Sequence, residues 1–296
     1  MRAESGRPSG PGRPQAAHRP PRYRRRMPRR RHDRARRPGV ARIVGGIAAD
    51  YAYVLGRRLT ATVRRRAPLP GEGTPPGSRG RPVVILPGIF ESWHYLQRII
   101  EGLAAAGHPV HIVGDIGLNG RPIPATAKLV YQYLVAHDLT DAIIVAHSKG
   151  GLVGKHVMLH DARVTPDADL PGRRRVGHLI AVNTPWRGSE LARYGLGAWR
   201  EFQPRLPVIS HLAAENAVDA RITAIDSAID QYVPRDSAPA AATRIPLPLV
   251  GHFRVLAHPA VVALIVARVR ELARTGGGVP RRTTVSYPGV GIPTAE

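Results

Sequence analysis

Residues 142–158 read AIIVAHSKGGLVGKHVM, an apolar run that ends at Ala146 and passes through His147-Ser148-Lys149-Gly150-Gly151 into a segment with helical spacing. A serine on so sharp a strand-to-helix turn is forced into a strained backbone conformation, and the residues two before and two after it clash unless they are small. Ala146 and Gly150 meet that demand, with Ala standing where Gly is usual in G-x-S-x-G. A helix starting at Lys149 aims the positive end of its dipole at the serine and favours an oxyanion there. Ser148 is therefore the candidate nucleophile.

Outward from this stretch, short Val- and Ile-rich runs alternate with helical segments. Strands are predicted at 83–86, 110–113, 142–146, 176–182, 221–225 and about 246–250, and helices at 92–106, 125–137, 149–160, 208–217 and 259–274. That order implies an α/β domain with a mostly parallel central sheet and helices on both faces. The first run breaks at Pro87-Gly88, where an oxyanion-hole donor belongs in a sheet of this kind. The N–H of Ile89, or of Phe90, would pair with that of Lys149.

A hydroxyl is a weak nucleophile near neutral pH and needs a histidine base, itself oriented by a carboxylate. The expected chain order is Ser, acid, His. Asp230 lies in the loop beyond the 221–225 strand, whereas Asp226 reads as a strand-end cap. His252 follows an apolar run and Gly251; His258, next to Pro259, reads as the start of a helix.

Residues 82–274 resemble α/β-hydrolase lipases and esterases, especially bacterial members whose elbow is written H-S-K-G-G. The matching pieces are LPGIF, AHSKGGL, AVNTPWRGSELA, IDQYVP and GHFRVLAHP, in family order. The resemblance implies the α/β-hydrolase fold and cleavage of carboxylic esters through an acyl-enzyme, with no cofactor and no metal. It supports Asp230 as the acid of D-x-x-V-P and His252 as the base. Phe90, His147 and Trp186 are expected to contact substrate. The stretch 189–220, with Leu191, Tyr194, Leu196, Trp199, Phe202, Leu206, Val208 and Leu212, lies where related enzymes carry a cap. Two rival readings stand beside this one: a catalytically silent binding protein of the same fold, and an amide or thioester hydrolase with the same triad.

Composition narrows the partners. The net charge is +23, and fourteen Arg against only Glu4 and Asp33 in residues 1–37 supply about half of it. Such a tail attracts phosphates or anionic lipid, but no aromatic stacking pattern or DNA-binding helix accompanies it. Nucleic acid is thus disfavoured. An ester or lipid small molecule is the expected partner, with contact to anionic membrane surfaces through the basic N-terminal region. Thirteen His form no H-E-x-x-H, no G-x-G-x-x-G follows the first strand, and the lack of Cys excludes disulfides and thiolate metal sites.

Residues 1–38 are expected to be a disordered Arg/Pro-rich tail, and 39–81 a helix plus linker. The helix, over 40–66, places Ile43, Ile47, Tyr51 and Val54 on one face, to dock on the domain or lie on a membrane. The hydrolase domain follows at 82–274 and a flexible tail at 275–296. The apolar stretch 40–55 is broken by Arg42 and Asp50, too short for a membrane span and a poor signal peptide. Cytoplasmic residence, peripheral at the membrane, is the expectation.

Overall fold

The computed structural model describes residues 39–63, 80–165 and 174–274. The tails expected at 1–38 and 275–296, and most of the linker, lie outside the described residues. Six strands form one sheet: β1 (Val83–Leu86), β2 (Val110–Ile112), β3 (Ala142–His147), β4 (Val176–Val182), β5 (Ile222–Ile229) and β6 (Thr243–Val250). Their order is β2-β1-β3-β4-β5-β6, and every neighbouring pair is parallel. The helices are α1 (Val40–Val63), α2 (Gln97–Ala105), α3 (Ile123–Ala136), α4 (Lys149–Val164), α5 (Pro207–Ala214) and α6 (Pro259–Arg274).

The unbroken apolar runs of β1, β3 and β4 follow from burial on both sides, because crossover helices cover both faces of a parallel sheet. Val84, Leu86, Ile144, Ala146, Leu179 and Ala181 point into one core with α3 and α4. Val83, Ile85, Ile143, Val145, Ile180 and Val182 point into the other with α2 and α6. Each of these larger side chains contributes about 1.5–3 kcal/mol by leaving water.

Two strands depart from the sequence expectation. β5 runs on to Ile229, so Asp226 lies inside the strand rather than capping its end. β6 begins at Thr243 and carries Pro246 and Pro248, which an edge strand tolerates because one of its N–H rows needs no partner.

α1 docks on the α2 and α6 side. Tyr53 and Val54 pack on that core, the Tyr53 hydroxyl donates to the carbonyl of Tyr95 at 2.9 Å, and Arg57 Nη1 donates to Gln97 Oε1 at 3.2 Å. Its outward face leaves Val40, Val44, Leu55 and Leu59 exposed. No helix among the described residues is long and apolar enough to cross a membrane.

Candidate active site

β3 delivers His147 and Ser148 to the carboxyl edge of the sheet, where Ser148 adopts φ 50° and ψ −120°. A positive φ at a non-glycine residue costs on the order of 1–3 kcal/mol and persists only where its surroundings enforce it. Here the Ser148 N–H donates to Val182 O at 2.9 Å, and its carbonyl accepts the Thr184 hydroxyl at 3.0 Å and the Gly151 N–H at 3.1 Å. Gly150 is needed for the close approach of α4 to β1: a Cβ there would sit 2.3 Å from the Leu86 carbonyl oxygen.

Across the edge, His252 Nδ1 lies 2.7 Å from Asp230 Oδ2, and both side chains are buried. The other carboxylate oxygen accepts the N–H groups of Tyr232 and Val233 at 2.7 and 2.9 Å. Burial alone would raise the Asp230 pKa, but His252 and these two N–H groups outweigh it and hold the carboxyl below its ordinary value. A carboxylate at Nδ1 selects the tautomer whose Nε2 carries the free lone pair. Among the described residues the Ser148 hydroxyl makes no hydrogen bond, so the serine–histidine link is not closed. Such contacts are often loose before substrate binds.

Behind this pair runs a second buried one. Both Glu91 oxygens lie 2.9 Å from His147 Nδ1, and His147 Nε2 lies 3.0 Å from the carbonyl oxygen of His252. The His252 carbonyl can only accept, so Nε2 carries a proton, and a carboxylate beside Nδ1 favours a proton there too, which is the imidazolium form. Burial pulls its pKa down, yet Glu91 more than compensates and the net shift is upward. Glu91 Oε2 also accepts the Gly88 N–H at 2.9 Å. The Glu91–His147 pair thus ties the Pro87–Phe90 turn to the loop of His252.

With Gly88 engaged, the expected donors are the amides of Ile89, or Phe90, and of Lys149. Among the described residues none of the three donates a hydrogen bond, as an oxyanion hole requires. The Lys149 side chain turns away from Ser148. It is fully buried, and its Nζ lies 2.9 Å from Glu201 Oε2 and donates to the carbonyl of Arg121. Burial lowers its pKa, partly offset by Glu201.

Ser148, 7% exposed, opens on a cavity of about 330 Å³ walled by Pro185, Leu191, Trp199, Phe202, Tyr232 and Val233. Its remaining lining residues are Ser189, Ala192 and Gly195, so no charged side chain faces it.

This topology recurs among solved structures. A mature lipase of Bacillus licheniformis matches over 67% of this chain and 96% of its own, with a TM-score of 0.52 at 14% identity. Lipase B of Aspergillus fumigatus matches over 69% of this chain, also with a TM-score of 0.52, at 15% identity. The match covers about half of that longer protein, 55%. The chain has the α/β-hydrolase fold. No family model and no curated protein matches its sequence.

None of the three residues expected to contact substrate lines this cavity. His147 is completely buried, and both its ring nitrogens are occupied, so it braces the site from behind. Trp186 is packed in the core, and it is the neighbouring Pro185 that reaches the cavity. Phe90, at φ 56°, is exposed and lies outside the cavity wall. Among the described residues Asp226 makes no bond to His252 and its Oδ1 has no hydrogen-bond partner; burial pushes its pKa up to about 6. The carbonyl of His258 accepts the N–H groups of Val261 and Val262 in the first turn of α6.

Three groups escaped the sequence reading. Glu91 directly follows the LPGIF turn, a signal that was available. Tyr232 sits inside the quoted IDQYVP motif. Asp50 gave no sign beyond being a lone acid in an apolar helix. Among the described residues no cluster of three or more His, Asp or Glu is placed to hold a metal ion.

Proposed function

We propose that the chain is a serine hydrolase that cleaves carboxylic esters of the lipase or esterase type. The observation that carries this is the buried Asp230–His252 pair at 2.7 Å, set at the same sheet edge as a strained serine flanked by two unengaged amides. In this reading Ser148 Oγ attacks the ester carbonyl as its proton passes to His252 Nε2. Asp230 holds the ring and stabilises the imidazolium. The N–H groups of Ile89 and Lys149 receive the charge that develops on the carbonyl oxygen. His252 then protonates the departing alcohol, and water, activated by the same imidazole, releases the acid from Ser148.

The charge-free cavity favours a neutral acyl chain, each buried methylene contributing about 0.8 kcal/mol. Labelling by a fluorophosphonate probe tests the assignment. Wild type should be labelled at Ser148 and hydrolyse p-nitrophenyl esters, and Ser148→Ala should do neither while remaining folded. An unlabelled wild type would favour the silent binding protein, and turnover by the alanine variant would end the mechanism.

A further inference from the structure

α1 lies outside residues 82–274, the span that carries the hydrolase motifs, yet it sends one carboxylate beneath the site. Asp50 is 0% exposed. Its Oδ1 accepts the N–H groups of Phe253 at 2.8 Å and Arg254 at 2.6 Å. Its Oδ2 accepts the N–H of His252 at 2.9 Å and Nε2–H of Gln231 at 2.7 Å. Three consecutive backbone amides therefore converge on one side chain, satisfying donors that a short helical turn leaves without partners. Gly251 fits the same arrangement. It has φ 116°, and a Cβ there would approach Asp50 Oδ1 to 2.7 Å.

The contacts do not stop at the base loop. Gln231 directly follows Asp230, and the next residue, Tyr232, has its hydroxyl 2.8 Å from that of Tyr51 on α1. A carboxylate that merely anchored the helix would need only one of these loops. Asp50 grips both, at the two points where acid and base are carried.

We propose that Asp50 is a positioning residue for His252. It fixes the backbone of residues 252–254 and the side chain of Gln231, so that the imidazole meets Asp230 on one edge and the serine on the other. This rests on the reading of Ser148, His252 and Asp230 given above, and it adds α1 to the working parts of the enzyme.

The test uses the full chain. Asp50→Asn keeps the size but replaces one acceptor oxygen by a donor, so the amides and Gln231 compete for one oxygen. The expected result is a fall in kcat for a p-nitrophenyl ester of about ten- to a hundredfold with KM unchanged. Fluorophosphonate labelling should slow by the same factor, and the hydrogen-bonded His252 Nδ1 proton should shift or broaden in the NMR spectrum. Tyr53→Phe, which removes the bond from α1 to the Tyr95 carbonyl, is the control: it lowers Tm and leaves kcat alone.

Unchanged kcat and an unmoved Nδ1 resonance in Asp50→Asn would overturn the proposal. So would losses of kcat that simply track Tm in both variants. If Asp50→Asn does not fold, Gln231→Met removes the acid-side bond alone, and kcat should fall several-fold at constant KM; wild-type kcat there would count against the proposal equally. The NMR comparison needs no substrate. An inert wild type whose Nδ1 proton still responds to Asp50→Asn would remove the hydrolase reading and leave the positioning role standing.

Discussion

Replacing Glu91 isolates what the second buried pair contributes. Glu91 and His147 are 3% and 0% exposed in their side chains and 2.9 Å apart. Removing one partner of a buried ion pair strands the other and costs about 3–5 kcal/mol. For a domain of this size 1 kcal/mol corresponds to roughly 2–4 °C in Tm, so Glu91→Ala should melt about 6–20 °C lower.

Glu91→Gln should be milder, because the amide can donate to a neutral His147 whose Nε2–H still reaches the His252 carbonyl. It trades a charge-assisted bond for a neutral one, a loss of about 1–2 kcal/mol.

The sign with pH follows from the raised pKa of His147. In wild type the contribution of the pair is complete below the unfolded value of about 6.5 and fades as pH rises through the higher folded value. In Glu91→Gln, protonation instead places an unpaired cation in a sealed site. The gap in Tm between the two proteins should therefore be widest at acid pH and narrow as pH rises, measured by calorimetry with ¹⁵N NMR of His147 alongside. A gap independent of pH, or a loss below about 1 kcal/mol in the alanine variant, would refute the imidazolium assignment.

Asp226→Asn and Asp230→Asn should part company. With its pKa pushed by burial from the ordinary 3.8 up to about 6 in the folded protein, Asp226 favours the folded state at low pH and loses that contribution as pH rises through 6. The asparagine should gain on the order of 1–3 kcal/mol at pH 8, after allowance for partial exposure, and nothing near pH 4. Its activity should persist, whereas Asp230→Asn should lose roughly 10⁴-fold in kcat; the opposite ranking in ester assays would reassign the acid. Gly150→Ala should cost about 1–3 kcal/mol and most of the activity, since the added methyl meets the backbone of Leu86 and Pro87. A wild-type melt and rate would show that the turn yields freely.

The sheet was legible where burial on both faces leaves only apolar residues, as in β1 and β4, whose predicted spans match the observed ones. It blurred at the carboxyl end of β5, where Asp226 and Ser227 interrupt the run, and in β6, whose Thr, Arg and Pro belong to an edge. The turn at Ser148 announced itself because steric demand writes small residues at fixed offsets. What pairs behind it did not, since Asp50 meets backbone amides 202–204 positions away and any sequence offers amides. His147 looked like a pocket residue for a related reason: adjacency to Ser148 is visible in sequence, but the side of the sheet edge it faces depends on Glu91 and on a distant carbonyl.

Lys149 has two jobs at two distances. Its amide borders Ser148, while its ammonium is locked to Glu201, and Glu201 in turn holds the first turn of α3 through the Ile123 N–H. The cavity wall around Trp199 and Phe202, on either side of Glu201, is thereby tied to the residue that follows Ser148. That stretch of wall is thus held at its Glu201 end, whereas Leu191, Tyr194 and Leu196, nearer its start, stand exposed.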